Sequence, residues 1–170
     1  MSHGFKQQNR ISVVNNQDEI IGYKMRDELG TGDIHRVTAL WVTDCNGNVL
    51  LGKRSANKRF APCRWAPPVA GTVEEGETYD SNIVKEAEEE LGIKEVEFKK
   101  FRKHFSPSSD GHPHFTQWYN YEINKPVEDI WFCDEHDEIK WFAPDELRVL
   151  IKKDPDMFVW GVKKFMLDGI

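Results

Sequence analysis

The sequence predicts an α/β fold of the α+β kind, in which helices cover a mixed β-sheet. Strand-type runs dominate the chain, with one helix pattern in the middle and two at the end, and this order is typical of such an architecture. The chain has 170 residues, of which 39% are hydrophobic and 12% aromatic, so it can build a packed core. We therefore expect a single domain over residues 1–170, with its core over residues 35–150.

The N-terminal part of the chain predicts two β-hairpins. Residues 1–9 are polar and are expected to be flexible, whereas residues 11–24 predict an N-terminal β-hairpin. The second hairpin turns at Asn46-Gly47, a dipeptide that suits the positive φ angles of a tight turn. A basic loop over residues 53–65 follows this hairpin.

The clearest helix pattern runs from Tyr79 to Leu91, with Thr78 as its N-cap and Gly92 as its C-terminal stop. Its apolar residues recur at helical spacing, which predicts one face toward the core: Ile83, Val84, Ala87 and Leu91. The remaining predicted elements are strands at 67–71, 96–105, 114–123 and 139–142, a helix from Pro144 and a C-terminal helix over residues 156–167.

Charge and composition exclude several classes of protein. The net charge of −6, from 29 acidic and 23 basic residues, argues against a nucleic-acid-binding surface. No apolar run reaches membrane-spanning length and the first residues form no apolar h-region, so we expect neither a secretory leader nor a membrane partner. Three cysteines without a CxxC pair support neither a disulfide framework nor a zinc site, and a reducing cytoplasm fits them best.

The informative segment is the acidic helix. On a helix, Glu86, Glu89 and Glu90 share one face, where three like charges repel one another unless a cation lies between them. Mg²⁺ takes carboxylate oxygens and keeps positions for water and substrate phosphate. From charge pattern alone, however, a Glu-rich helix is more often an ordinary solvent-exposed face.

The spacing of the whole segment favours the metal-binding interpretation. Six residues fit the pattern GX5EX7REUXEEXGU, the Nudix box, and they are Gly71, Glu77, Glu86, Glu89, Glu90 and Gly92. The chain therefore resembles the Nudix superfamily. One position departs from the pattern, because Lys85 replaces the usual arginine and loses the planar fork that binds carboxylates in a bidentate manner.

The resemblance implies a Nudix-type α/β/α sandwich with a mixed β-sheet, and a site for Mg²⁺ or Mn²⁺. It makes Glu86, Glu89 and Glu90 the metal ligands, together with the carbonyl of Ala70. Glu86 and Glu89 are also counted as catalytic residues. The structural residues of the box are Gly71, which allows a tight turn, Glu77, which bonds back to the loop, Lys85 and Gly92.

The implied reaction is hydrolysis of a diphosphate linked to a group X, in a nucleoside diphosphate-X or a related organic pyrophosphate. In this chemistry the metal activates water and a carboxylate takes the proton. The general base often follows the box, and the acidic segment 134–141 is of the matching kind. Glu138 is the first candidate and Glu135 the second, with an ordinary surface acid as the alternative for each.

Flanking segments at 34–39, 50–55 and 60–65 resemble the isopentenyl diphosphate isomerase-like branch of the superfamily. This resemblance makes Arg54 and Lys58 contacts of the substrate diphosphate. The isomerase reaction itself is disfavoured, because Ala70 stands where a cysteine is needed and Thr72 where a metal-binding histidine is needed.

A hydrolase of a small-molecule diphosphate is therefore the preferred function. An isopentenyl diphosphate delta-isomerase, a non-catalytic nucleotide-binding Nudix module and an RNA-decapping enzyme are the alternatives. The intact glutamate set argues against the second and the acidic net charge against the third. The sequence does not identify X, and a homodimer stays open.

Overall fold

The computed structural model describes residues 10–107 and 112–168, whose strands form one mixed nine-stranded sheet. Residues 1–9, which are expected to be flexible, lie outside the described residues. The helices are α1 (Tyr79–Leu91), α2 (Pro144–Lys153) and α3 (Trp160–Leu167). The strands are β1 (Ile11–Val14), β2 (Ile20–Lys24), β3 (Ile34–Thr43), β4 (Val49–Arg54), β5 (Trp65–Ala66), β6 (Val69–Thr72), β7 (Lys99–Ser106), β8 (His114–Glu122) and β9 (His136–Phe142).

The long strand β3 organises the sheet. One edge of β3 pairs in parallel with β8 along residues 35–43, and the other edge is shared by β1, β6 and β4, all antiparallel. Strand β7 extends the sheet beyond β8, while β9 extends it beyond β4. The mixed sheet and the N-terminal hairpin of β1 and β2 confirm the predicted fold class.

Helices cover both faces of this sheet. Helix α1 packs Ile83 and Ala87 against strand residues such as Leu40. Val84, expected on the same face, is exposed instead. Because side chains alternate along a strand, the neighbouring Trp41 points to the other face, where α2 and α3 pack. The core extends beyond the predicted 35–150, since β1 and the segment 158–166 also bury apolar side chains.

Helix α1 has the predicted bounds. The hydroxyl of Thr78 accepts the Ser81 N–H at 3.1 Å, and the Ser81 hydroxyl accepts the Thr78 N–H at 2.9 Å, so the N-terminus has a reciprocal cap. At the other end Gly92 adopts φ 66°, the left-handed conformation in which its N–H bonds back to the Glu88 carbonyl.

Several predicted boundaries are wrong. Strand β7 begins at Lys99 instead of residue 96, and β9 begins at His136 instead of residue 139.

Two further boundaries differ because of long-range pairing. The basic loop covers residues 55–64 instead of 53–65, because Lys53 pairs with both Trp65 and Glu138 and so belongs to β4. The C-terminal helix begins at Trp160 instead of residue 156, since the preceding Phe158 forms a parallel β-bridge with Trp65. Tertiary pairing here overrides the helical spacing of the apolar residues.

None of the helices in the described ranges is both long and apolar enough to span a membrane.

Candidate active site

Helix α1 holds its three box glutamates at different depths. Glu90 is buried, with 5% of its surface exposed, while Glu86 is half-buried and Glu89 is exposed. The Glu90 Oε2 atom accepts the backbone N–H of Ala70 at 2.8 Å. In a strand the N–H and C=O of one residue point to the same edge, so the Ala70 carbonyl also faces the edge of β6 that is turned away from β3.

Gly71 makes room for Glu86. A Cβ atom on Gly71 would lie 2.3 Å from Cγ and 2.5 Å from Oε1 of Glu86. The residue lies inside β6, in register with Thr38 of β3. The role expected for Gly71, a tight turn, is therefore wrong: glycine is needed here because the Glu86 side chain crosses the space that a side chain would fill.

The residues expected to be structural hold the loop that precedes α1. The Glu77 carboxylate accepts the Glu74 N–H at 2.9 Å, and Lys85 Nζ lies 2.6 Å from Glu77 Oε1 and 3.5 Å from Glu86 Oε1. Although burial opposes ionisation, the Lys85 ammonium and the Glu74 N–H hold the pKa of Glu77 below its ordinary value. Lys85 thus joins the loop to the helix without the arginine of the pattern.

A buried asparagine completes this network. Asn82, which is fully buried, donates through Nδ2 to the Thr72 carbonyl at 3.1 Å and to Glu77 Oε2 at 2.9 Å, and its Oδ1 atom accepts the Thr38 hydroxyl. Asn82 is not among the site residues that the sequence predicts. The available signal was its place one helical turn before Glu86, but an exposed asparagine would show the same spacing.

The two candidate general bases, Glu135 and Glu138, lie in different surroundings. Glu135 precedes β9 and lines the same cleft as Glu86, and its Oε2 atom lies 2.6 Å from Lys58 Nζ. Glu138 is exposed within β9, opposite Lys53. Of these two glutamates, only Glu135 is among the described residues that line the cleft.

Three carboxylates meet beside Ala70. Burial first, and then the neighbouring Glu135 and Glu86 carboxylates, raise the pKa of Glu90 well above its ordinary value, although the Ala70 N–H opposes this shift. Carboxylate and carbonyl oxygens are hard ligands, so this donor set fits Mg²⁺ or Mn²⁺. Within residues 10–107 and 112–168, no three His, Cys, Asp or Glu side chains are already arranged to hold a metal ion.

The two predicted phosphate contacts lie at the same place. Arg54, at the end of β4, donates through Nε to the Phe60 carbonyl at 3.1 Å, and both Arg54 and Lys58 line the cleft with Glu86 and Glu135. Positive side chains and carboxylates therefore share one end of a cleft of about 430 Å³.

The floor of the cleft is one face of the sheet. Across the sheet, Ala70 of β6 pairs with Ala39 of β3, which pairs with Trp118 of β8, and all three line the cleft. Neighbouring strands lie about 4.8 Å apart, so this apolar row spans about 10 Å from Ala70 to Trp118. A parallel row closer to the sheet end consists of Thr72, Val37 and Thr116.

Two histidines extend the floor of the cleft toward the first residues of β3 and β8. His35 and His114 are register partners on β3 and β8, with ring centroids 5.2 Å apart. Burial first, and then the positive character of His114, Arg26 and His112, lower the pKa of His35 to about 3. His35 is therefore neutral at physiological pH.

The comparison with protein families agrees with this geometry. A family model described as NUDIX domain matches residues 33–161, which is most of the chain. The protein belongs to the Nudix family.

Particular relatives are similar over most of their length. The prenyl-diphosphate phosphatase of Methanosarcina mazei is 32% identical over 158 residues, which cover 91% of this chain and 91% of that protein. The Nudix hydrolase YfcD of Escherichia coli strain K12 is 33% identical over 149 residues, covering 81% and 75%. The crystal structure of DR0079 from Deinococcus radiodurans has the same fold, with a TM-score of 0.79 at 22% identity over 92% of this chain and 96% of that one.

Proposed function

We propose that the protein hydrolyses the diphosphate group of a small organic diphosphate, with Mg²⁺ or Mn²⁺ as its cofactor. The observation that carries this proposal is that Glu86 and Glu135 line a single cleft together with Arg54 and Lys58. The buried Glu90 carboxylate interacts with both of these glutamates. Carboxylates that bind a metal and cations that bind phosphate are both needed for such a reaction.

Each residue at this end of the cleft has a proposed task. Glu86, Glu89, Glu90 and the Ala70 carbonyl would hold the metal ion, which would neutralise phosphate charge and lower the pKa of a bound water. Arg54 and Lys58 bind the phosphate oxygens. Glu135 takes a proton from the attacking water, and its contact with Lys58 orients the carboxylate. Attack on phosphorus breaks the P–O–P bridge and releases the two phosphate-bearing products.

The group X that fits the rest of the cleft is apolar and of the prenyl type. The floor beyond Ala70 offers Ala39 and Trp118, and the apolar side chains of Ala66 and Val159 lie beside them. The Methanosarcina mazei relative bears the name of a prenyl-diphosphate phosphatase. Apolar surface removed from water contributes about 25 cal/mol per Å², so an isoprenoid group gains affinity from this floor.

A nucleoside diphosphate-X is the second candidate. Phe60 and His112 both line the cleft, with ring centroids 6.2 Å apart and planes at 72°, and an aromatic ring there can stack on a base. A substrate panel separates the two classes, because prenyl diphosphates lack a base and nucleotides lack a long apolar group.

The isomerase alternative receives no support from the described residues. Isomerisation needs a thiol at the reacting carbons, but Cys45 and Cys63 are exposed, Cys133 is half-buried, and the cleft lining has Ala70 and Thr72 at the two diagnostic positions. We expect incubation with isopentenyl diphosphate to yield no dimethylallyl isomer by NMR. An isomer formed at enzymatic rates would contradict the hydrolase assignment.

The proposed function is tested with purified protein, a panel of prenyl and nucleoside diphosphates, and either Mg²⁺ or Mn²⁺. We expect phosphate release that EDTA abolishes and that Glu90→Gln lowers at least about 100-fold, since a metal ligand is lost. Glu88→Gln is the matched control, because Glu88 is an exposed residue of the same helix and pairs with Lys94. Full turnover in EDTA would contradict the metal mechanism.

Four further expectations from the sequence stand as proposals: one domain over residues 1–170, a cytoplasmic location, no nucleic-acid or membrane partner, and a possible homodimer. Gel filtration with light scattering measures the oligomeric state directly.

A further inference from the structure

The Glu86 carboxylate contacts the buried amide of Asn82, which lies one helical turn before it. Asn82 is fully buried, and its Nδ2 amine faces three oxygen atoms. These are the Thr72 carbonyl at 3.1 Å, Glu77 Oε2 at 2.9 Å and Glu86 Oε1 at 3.4 Å. Because all three oxygens are acceptors, the donor end of the amide must face them and not its carbonyl end.

The carbonyl end of the amide is fixed from the central strand. Thr38 of β3 is fully buried, and its hydroxyl donates to Asn82 Oδ1. Thr38 is also the register partner of Gly71, where a Cβ atom would lie 2.5 Å from Glu86 Oε1. The hydroxyl that orients Asn82 and the space that admits Glu86 therefore lie side by side on the paired strands β3 and β6.

The contacts of Glu86 converge on one of its two carboxylate oxygens. Lys85 Nζ lies 3.5 Å from Glu86 Oε1, the same atom that the Asn82 amine faces. Donors that hold one oxygen of a carboxylate restrict the orientation of the whole group. Since Glu86 lines the cleft, the cleft receives this carboxylate in one fixed orientation.

We propose that Asn82 and Thr38 are positioning residues, which act in series to hold the Glu86 carboxylate ready for the metal ion. This inference rests on the proposed function, in which Glu86 is a metal ligand. Partners that orient a metal ligand contribute about 10- to 100-fold to metal affinity. In this series Thr38 acts on Glu86 through Asn82, so its hydroxyl matters only while the amide is present.

The experiment titrates the full chain with Mn²⁺ in the absence of substrate and measures Kd by electron paramagnetic resonance. We expect Asn82→Ala to raise Kd about 10- to 100-fold. Thr38→Val keeps the shape of the side chain but loses the donor, and should raise Kd about tenfold. Thr38→Ser keeps the hydroxyl and should restore a Kd within about twofold of wild type. Ser12→Ala is the matched control, because Ser12 is also buried and its hydroxyl has no hydrogen-bond partner among the described residues.

A double variant tests whether the two residues act in series. In the Asn82→Ala background we expect Thr38→Val to raise Kd no further, whereas two independent contributions would multiply. Melting curves accompany the titrations, and the comparison of Thr38→Val with Thr38→Ser carries the test if the Asn82 variants do not fold.

Three results would overturn the inference while Mn²⁺ binding by wild type upholds the proposed cofactor. The first is a wild-type Kd in Thr38→Val, the second is a loss in Thr38→Ser or Ser12→Ala as large as that in Thr38→Val, and the third is multiplying losses in the double variant. A wild-type protein that binds no Mn²⁺ would overturn both the inference and the proposed cofactor.

Discussion

Glu135 and Glu138 lie three positions apart in one acidic segment, yet the backbone gives them different surroundings. Glu135 stands before β9 begins and turns into the cleft, where Lys58 contacts it. Glu138 lies within the strand and faces solvent opposite Lys53. A carboxylate can accept a proton from the attacking water only when it lies within hydrogen-bond distance of that water. The position of each side chain therefore decides which of these two glutamates can act as the general base.

We therefore predict that Glu135→Gln lowers kcat about 100- to 10,000-fold, the usual contribution of a general base, while Glu138→Gln stays within about twofold of wild type. Steady-state kinetics on the best substrate of the panel, with melting curves for both variants, make the measurement. Comparable losses in the two variants would speak against a distinct role for Glu135, and a loss in Glu138→Gln alone would restore the order that the sequence suggested.

Gly71 leaves the space that the Glu86 side chain occupies. In Gly71→Ala the new methyl group would overlap Cγ, Cδ and Oε1 of Glu86, all within 2.5 Å, so the carboxylate must move. Displacement of a reacting group by about 1 Å can cost about 100-fold in rate, and we expect a loss of kcat/KM of that size. Gly22→Ala is the control, because a Cβ atom at Gly22 has no neighbour within 4 Å. Equal activity of the two variants would show that Glu86 does not need its observed position.

Spacing along the sequence determines which side chains one helix brings together, but it does not determine how the rest of the fold surrounds them. The box positions Glu86 and Glu90 could be found because their distance along a helix determines their proximity. Neither the burial of Asn82 nor the exposure of Glu138 follows from spacing, since both depend on segments that pack from elsewhere in the chain. The need for glycine at position 71 depends on where the Glu86 side chain lies, and this position follows from the packing of α1 against β6.

Among the elements, α1 and α3 show what local signals determine. Helix α1 begins and ends as predicted because Thr78 and Gly92 satisfy its terminal backbone groups locally. Helix α3 has no side-chain cap, and its start is set by the distant Trp65, which pairs with Phe158 as an added strand residue. Apolar spacing alone cannot place a boundary of this second kind.

The turn between β1 and β2 is tied to the rest of the fold by one carboxylate. Asp18, whose side chain is 8% exposed, accepts the guanidinium of Arg36 at 2.7 Å and the hydroxyl of Tyr79 at 3.0 Å, and it also pairs with Lys103. Although burial opposes ionisation, these partners hold the pKa of Asp18 below its ordinary value. The Asp18 carboxylate therefore connects four elements of the fold, namely the β1–β2 hairpin, the central strand β3, the start of α1 and the edge strand β7.

We predict that Asp18→Asn lowers the free energy of unfolding by about 1–3 kcal/mol, because Arg36 loses its partner in a largely buried position. Asparagine tolerates the left-handed backbone that Asp18 adopts at φ 63°, so the change isolates the charge. Asp145 is almost fully exposed and pairs with the half-exposed Arg148, so Asp145→Asn should change the free energy of unfolding much less than Asp18→Asn does. Urea denaturation measures both, and equal small effects would mean that the Asp18 cluster contributes no net stability.

At the scale of the whole molecule, the layers of the fold were predictable and the cleft was not. Hydrophobic periodicity predicts helices that pack an apolar face against a sheet without knowledge of strand order. The cleft depends on that order, since its floor joins Ala70, Ala39 and Trp118 from three strands, and Val159, just before α3, also lines it. The partners of β3 follow from long-range pairing, which local sequence patterns do not encode.

The stability of the whole fold should depend on pH through His35. This side chain is 9% exposed, and its pKa of about 3 in the folded protein lies below the ordinary value of 6.5 that the unfolded chain should show. As the pH falls below about 6.5 the unfolded chain takes up a proton that the folded protein refuses until about pH 3. The free energy of unfolding therefore decreases as the pH falls from about 6.5 to about 3. The stability that the neutral His35 side chain contributes above pH 6.5 is lost over this range.

For His35 alone we expect the free energy of unfolding to be about 2 kcal/mol lower at pH 5 than at pH 8, at about 1.4 kcal/mol per pH unit of separation. Burial also lowers the pKa of His104, to about 4, and that of His136, so wild type sums several contributions of the same sign. The comparison of wild type with His35→Phe isolates the contribution of His35 to this pH dependence. The phenyl ring keeps the packing of the imidazole but cannot take up a proton. Urea denaturation at pH 8, 7, 6 and 5 should give a profile for His35→Phe that is flatter than that of wild type by about 2 kcal/mol over this range. Parallel profiles would mean that His35 is protonated in the folded protein at the same pH as in the unfolded chain.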